Sequence, residues 1–203
     1  MPSLRALGLN CTLKLGDDPS STDLLVTQVL DALAKEGVET DGPVRVADLD
    51  IKPGVRSDEG DGDEWPGLRR RILDADILVF GTPIWLGQPS SIAKRVTERM
   101  DAFLGETDDR GRMVSFDRVA LVAVVGNEDG AHHVSAELYQ ALNDVGFTLP
   151  ANAVTYWVGE AMGSTDYKDL GREREKVTSA TTTAACNAAH LARLLREAGY
   201  PPG

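Results

Sequence analysis

Ile77-Leu78-Val79-Phe80-Gly81-Thr82-Pro83-Ile84-Trp85-Leu86-Gly87-Gln88-Pro89-Ser90-Ser91 decides how this chain folds. Its first four residues are apolar with no period of two, the pattern of a strand buried on both faces. Glycine and proline then punctuate a lone tryptophan. After them Ile92, Val96, Met100 and Phe103 mark out a helical stripe, with Pro89 near the helix start. A fully buried strand, a loop and an amphipathic helix make up one repeat of a parallel α/β sheet.

The same alternation extends in both directions. Strands are predicted at Leu4–Leu9, Val44–Leu49, Val119–Val125 and Val154–Trp157. Leu24, Leu25, Val29, Leu30 and Leu33 define a helix that ends at Gly37, a C-cap. A shorter helix runs from Trp65 to Leu73, and another carries Val134, Leu138, Leu142 and Val145 before Gly146. The last runs from about Arg172 to Ala198 and stops at Gly199-Tyr200-Pro201-Pro202. Five strands, each followed by a helix, predict a parallel sheet with right-handed crossovers and helices on both faces. No linker, repeat or low-complexity stretch divides the chain, so residues 1–203 read as a single domain. The segment Asp58-Glu59-Gly60-Asp61-Gly62-Asp63-Glu64 lacks a calcium-loop pattern and reads as a solvated loop.

Composition narrows the function. The 203 residues are 42% hydrophobic and 26% charged, an ordinary soluble mixture. No apolar run is long enough to span a bilayer, and Met1-Pro2-Ser3-Leu4-Arg5 has no signal-peptide layout, so the expected location is the cytoplasm. A net charge of −11 argues against nucleic acid, which needs a basic face. It suits either plain solubility or docking to a basic partner. Cys11 and Cys186 show no metal-ligand or disulfide spacing.

In an open doubly wound sheet of order 2-1-3-4-5, a ligand binds beyond the carboxyl ends of the strands. Three loops there are unusual. The first, Asn10 to Thr22, is long and gathers Cys11, Thr12, Lys14, Ser20, Ser21 and Thr22 where a helix begins. Helix N-terminal amides and the helix dipole favour a phosphate there. The alternative is that Ser20 or Ser21 is an N-cap and nothing more. Neither a Walker A loop nor a GxGxxG fingerprint is present. The second loop, Thr82, Pro83, Ile84, Trp85, Leu86 and Gly87, offers an aromatic and kinked backbone to a flat ring; otherwise Trp85 packs inward or into an oligomer contact. The third, with Gly126, Asn127, Glu128 and Gly130, allows close backbone approach to the polar edge of a ring, or is an ordinary turn.

At these residues the chain resembles the NADPH-dependent FMN reductase and multimeric-flavodoxin family. Thr82-Pro83-Ile84-Trp85-Leu86-Gly87-Gln88-Pro89-Ser90 carries the likeness most specifically. It matches the family pattern Thr/Ser-Pro-x-aromatic-x-Gly-x-x-Pro/Ser. The first loop departs from the family: Asn10 and Cys11 stand where Gly-Ser is usual, and Leu15-Gly16-Asp17-Asp18-Pro19 is inserted. The cysteine cluster that some relatives use for iron–sulfur binding has no counterpart. The resemblance implies a flavodoxin-like three-layer sandwich with a five-stranded parallel sheet. It also implies FMN as cofactor, held by the sixteen loop residues named above, and NADH or NADPH as a transient co-substrate.

Flavin chemistry also accounts for an absence. No Ser/His/Asp or Cys/His constellation stands out, and hydride transfer to a flavin needs no protein acid or base in its main step. No catalytic side chain and no metal ligand is therefore assigned. Cys11 is either a redox-active thiolate or a replacement for serine, and His132-His133 either touch the ring edge or lie on the surface. The expected activity is electron transfer from a nicotinamide to a quinone, flavin or similar small acceptor. A flavodoxin-type carrier is the alternative, although its Thr-x-Thr-Gly-x-Thr loop is missing; a cofactor-free flavodoxin fold is the third reading.

A homodimer or homotetramer is expected, on the outward Trp85 and Leu86, the long segment Gly159 to Tyr167, and the small-residue run Ala180 to Ala185. The competing account folds that segment over Trp85 and packs the run on the chain's own sheet.

Overall fold

A computed structural model describes residues 3–172 and 174–202; Met1 and Pro2, part of the stretch read above for a signal peptide, lie outside the described residues. The strands are β1 (Leu4–Asn10), β2 (Val38–Thr40), β3 (Val44–Arg45), β4 (Ile77–Trp85), β5 (Gln88–Pro89), β6 (Val119–Gly126) and β7 (Val154–Val158). The helices are α1 (Ser21–Lys35), α2 (Trp65–Asp74), α3 (Ser91–Met100), α4 (Ala131–Asp144) and α5 (Glu175–Glu197). The main sheet runs β2-β1-β4-β6-β7 with every neighbour parallel, the flavodoxin-like order.

Among the described residues seven strands form where five were expected. The predicted second strand, Val44–Leu49, keeps only Val44–Arg45 before Val46–Asp48 turns as a 3-10 helix, and a further strand that was not predicted, Val38–Thr40, pairs with β1 ahead of Gly42 and Pro43. Proline has no N–H for the ladder, so the strand stops and restarts. The other addition is a hairpin. β4 continues past Phe80 to Trp85, and β5 folds back on it antiparallel through Ile84–Pro89 and Trp85–Gln88.

The run that opened the sequence reading is buried on both faces. Leu78 and Phe80 join one core with α2, α3 and α4, while Ile77 and Val79 join a second with α1 and α5. α5 uses its small residues in that second core: Ala184, Ala185, Ala188, Ala189 and Ala192 are buried. The expected oligomer contact along Ala180 to Ala185 is thus corrected for the alanines at 184 and 185, which pack on the chain's own sheet. α1 lies so close to the sheet that a Cβ at Gly81 would fall 2.2 Å from Val26 Cγ2 and 2.9 Å from the Leu9 carbonyl. That approach puts the N-terminus of α1 at the carboxyl ends of β1 and β4. Among the described residues no helix is long and apolar enough to cross a membrane.

The Gly/Asp-rich segment is more ordered than its composition suggests. Asp63 and Arg99 form an ion pair at 2.8 Å with both side chains fully buried. Arg99 also donates to the carbonyls of Lys52 and Arg56, and its guanidinium lies over Trp65.

Candidate functional site

Two of the three loops meet at the start of α1. Ser20 is the N-cap, its Oγ accepting from Asp23 N at 3.3 Å. Among the described residues the amides of Ser21 and Thr22 have no protein partner, as expected for the first turn of a helix. The loop before them is internally bonded. Asn10 accepts from Thr12 N (3.1 Å) and donates to Asp23 (2.8 Å), and Thr12 Oγ1 accepts from Lys14 N (3.3 Å). Lys14 Nζ donates to the Pro19 carbonyl at 2.7 Å, closing the inserted residues into a ring of chain.

A second cation, Arg45, was missed by the sequence reading. Parallel register sets Arg45 beside Asn10, and its guanidinium donates to the Asp18 carbonyl at 2.8 Å and lies 3.8 Å from Asp23. The signal was hidden because the second strand was read as one continuous piece.

Two expected contacts turn inwards. Cys11 is fully buried in the core; its N–H donates to the Gly81 carbonyl and its own carbonyl accepts from Ser90 Oγ at 2.6 Å. Burial pushes its thiol well above the ordinary cysteine range, so the redox-active thiolate is corrected to an inert core thiol. Thr82 is also fully buried, its Oγ1 donating to the Pro83 carbonyl and accepting from Ser90 N. Cys11 ties the first loop to the second from beneath, and Thr82 braces the Ser90 that makes that contact. Thr12, Ser20 and Thr22 are largely buried beside them.

The hairpin tip has a different character. Leu86 and Gly87 take φ of 52° and 74°, as two-residue hairpins with matching twist require. For leucine this backbone region costs about 1–2 kcal/mol. Yet Leu86 is 93% exposed and Trp85 54% exposed, so no burial in this chain repays it. The outward reading of Trp85 is the one observed.

Glu128 holds the tip. Its carboxylate accepts from Leu86 N (3.1 Å) and Gly87 N (3.0 Å). Gly130, at φ 129°, comes so near that a Cβ would sit 2.9 Å from Gly87 Cα. Glu128 therefore spends its acceptors on backbone of the second loop. Asn127 faces the other way, donating to Asp166 at 3.0 Å while its Oδ1 is buried without a partner.

The long segment after β7 follows Asn127 rather than Trp85. Gly159 and Met162 donate from their amides to Gly126 and Asn127, Lys168 N reaches Ser21 Oγ at 3.3 Å, and Tyr167 donates to Gln28. It straps the third loop to the start of α1. Met162 at its crest is 95% exposed.

All the expected loops thus lie at one end of the sheet. The model of the NADPH-dependent FMN reductase family matches residues 4–163. The chain belongs to the NADPH-dependent FMN reductase family. Members are flavin-dependent oxidoreductases, and FMN is the cofactor. The chain is 38% identical over 200 residues to the divalent metal cation transporter MntH of Mycobacterium bovis. That match takes in 95% of this chain but only 29% of the transporter's length. It is 35% identical over 208 residues to 8-demethyl-8-aminoriboflavin-5'-phosphate synthase of Streptomyces davaonensis, covering 98% of this chain and 80% of the synthase. The structure of RosB with a bound 8-demethyl-8-formylriboflavin-5'-phosphate intermediate superimposes with a TM-score of 0.89 at 35% identity, over 98% of this chain and 82% of that one. The apo form of an NADH:FMN oxidoreductase shares the fold, with a TM-score of 0.63 at 17% identity, over 94% and 89% of the two chains.

The site suits the family's cofactor on its own geometry. Two unpaired amides at a helix N-terminus, with Lys14 on the loop before it and Arg45 on the neighbouring strand, fit a phosphate dianion. An exposed indole between two kinked backbones fits a flat ring.

Proposed function

We propose that this chain holds FMN across the three loops and carries electrons from NADH or NADPH to a small acceptor such as a quinone or free flavin. The observation that carries the reading is the pair of unpaired Ser21 and Thr22 amides, at the same sheet end as the exposed Trp85. In this reading those amides, the hydroxyls of Thr12, Ser20, Ser21 and Thr22, and Lys14 hold the phosphate. Pro83, Ile84, Trp85, Leu86 and Gly87 flank the ring, and Gly126, Asn127 and Gly130 line its polar edge. Cys11, Thr82 and Glu128 hold these loops in place rather than touching the cofactor. Bound FMN supplies the hydride chemistry; the protein orients the rings and excludes water.

Anaerobic addition of NADH or NADPH tests this directly. The bound flavin should bleach without any partner reductase. Flavin that stays oxidised until a separate reductase is added would instead mark an electron carrier.

A second reading rests on the 35% identity to 8-demethyl-8-aminoriboflavin-5'-phosphate synthase over nearly the whole chain. There the flavin phosphate would be the molecule acted upon. Mass analysis of released flavin after turnover separates the two: riboflavin monophosphate unchanged supports the cofactor role, and an altered ring supports the substrate role.

The oligomer belongs to the same proposal. A homodimer or homotetramer would cover Trp85, Leu86 and Met162, three large apolar groups exposed at the site end. Light scattering of the flavin-loaded protein should give a multiple of the chain mass of 21.8 kDa; the monomer mass would remove the shared-site model.

A further inference from the structure

Asp23 is the acidic residue in the first turn of α1, and the fold fastens it on the side of the first loop. Its N–H bonds to the N-cap Ser20 Oγ, so it shares a turn with the free amides of Ser21 and Thr22. Its carboxylate turns back toward the end of β1. Oδ1 accepts from Asn10 Nδ2 at 2.8 Å, and Arg45 stands 3.8 Å away. Asn10 is fully buried, and its Oδ1 already accepts from Thr12 N, so its NH2 group is committed to Asp23. Asn10 is also the residue that replaces the family's glycine, which has no side chain to hold a carboxylate.

The cations nearby are engaged elsewhere. Lys14 Nζ is bound to the Pro19 carbonyl at 2.7 Å, and the Arg45 guanidinium to the Asp18 carbonyl at 2.8 Å. The insertion adds Asp17 and Asp18, and Asp48 fixes it by accepting from Gly16 N at 2.8 Å. Around the start of α1, Lys14 and Arg45 therefore face the carboxylates of Asp17, Asp18, Asp23 and Asp48. We propose that Asp23 opposes the flavin phosphate and so keeps FMN exchangeable: the chain takes up flavin monophosphate from solution and releases it again. The proposal rests on the reading above that places the phosphate at the start of α1. A first-turn carboxylate stabilises its helix through the dipole, but it repels a dianion that enters the same field. Asp23 thus acts with opposite sign on the fold and on the ligand. Exchange serves most directly the second reading above, in which an altered flavin phosphate has to leave.

Asp23→Asn removes the charge and keeps an acceptor for Asn10. Riboflavin has the same ring as FMN and no phosphate, so its affinity reports any general distortion of the site. Both flavins are titrated into the flavin-free protein, whose thermal unfolding is followed separately. Asp23→Asn should bind FMN about tenfold more tightly, a factor worth about 1.4 kcal/mol, with riboflavin affinity unchanged and the flavin-free protein melting slightly lower. A capping residue with no part in binding would lower stability and leave FMN affinity unchanged or weaker, and either of those affinities would overturn the proposal. Diluting the FMN-loaded protein should release flavin, read as recovered fluorescence, faster from wild type than from Asp23→Asn. Wild-type protein that keeps its FMN through dilution would overturn the exchange. Lys14→Ala tests the reading beneath: it should weaken FMN and spare riboflavin. That result beside an inert Asp23→Asn removes the proposal alone, whereas unchanged FMN affinity in both variants would place the phosphate elsewhere and remove the reading with it.

Discussion

Gly60-Asp61-Gly62-Asp63-Glu64 and Gly126-Asn127-Glu128-Asp129-Gly130 have nearly the same composition and opposite uses. In each, one carboxylate fastens the segment to a distant element. Asp63 is fully buried against Arg99 of α3, and it also accepts from the amides of Lys52, Glu59 and Trp65. Glu128 instead grips two amides of an exposed hairpin tip. The first clamp closes a loop into the core, and the second holds a strained tip out in solvent. Composition does not distinguish them, because the difference lies in what another part of the chain brings to the carboxylate.

The sharpest way to break the comparison is at the buried clamp. Asp63→Asn keeps the shape and leaves the Arg99 charge without its counterion. Removing one partner of a buried pair costs about 3–5 kcal/mol, a large share of a domain's ~5–15 kcal/mol stability. Urea unfolding should show that loss. A loss below about 1 kcal/mol would mean the segment is as loosely held as its glycines suggest.

Glu128→Ala should act locally. Hydrogen bonds to a charged acceptor contribute about 1.5–3 kcal/mol, and both ends here are near the surface. Amide exchange at Leu86 and Gly87 should quicken by roughly tenfold or more, a factor worth about 1.4 kcal/mol, while global unfolding changes little. Equal exchange in variant and wild type would show that the hairpin turn holds itself.

Acid separates the two clamps by a smaller effect. Burial alone would raise the Asp63 carboxyl, but the Arg99 guanidinium and three backbone donors outweigh it and hold the group at about 2. A depressed carboxyl stabilises the fold above its unfolded value near 4, and that stabilisation is lost as pH falls through about 2. Wild type should therefore lose stability more steeply than Asp63→Asn between pH 4 and pH 2. Parallel curves would place the pair in water.

The layers of this fold were legible because buried parallel strands leave a continuous apolar run, and Ile77–Phe80 and Val119–Val125 are such runs. The broken second strand was not legible, since Val44 to Leu49 alternates well enough while the chain turns after Arg45. That error hid Arg45 from the candidate site. Ser21 and Thr22 were placed at the start of a helix, where they lie, because helix starts carry a local signature. Glu128 was placed in the right loop but read as facing the ring, because its partners lie forty-one and forty-two residues away. Cys11 was grouped with the phosphate-loop residues by its place in the chain, whereas its side chain points under the loop into the core.

The smallest effect sharpens the comparison most. Leu86→Gly should relieve the ~1–2 kcal/mol that a left-handed leucine costs and give back about 0.4–1 kcal/mol through the freer unfolded chain. The net gain expected for the isolated chain is about 0.5 kcal/mol, since a side chain 93% exposed loses little burial. Glycine would then be the better residue at this tip by the standard of stability alone. If a second copy covers the tip, Leu86→Gly should weaken association even as it steadies the dilute chain. Sedimentation across a dilution series, run beside urea unfolding at low concentration, reads the two terms separately. Higher monomer stability with weaker association would mean that Glu128 and the strained turn exist to present Leu86 to a partner. Unchanged association would leave Leu86 with no such role, and the two carboxylate clamps would differ in depth alone.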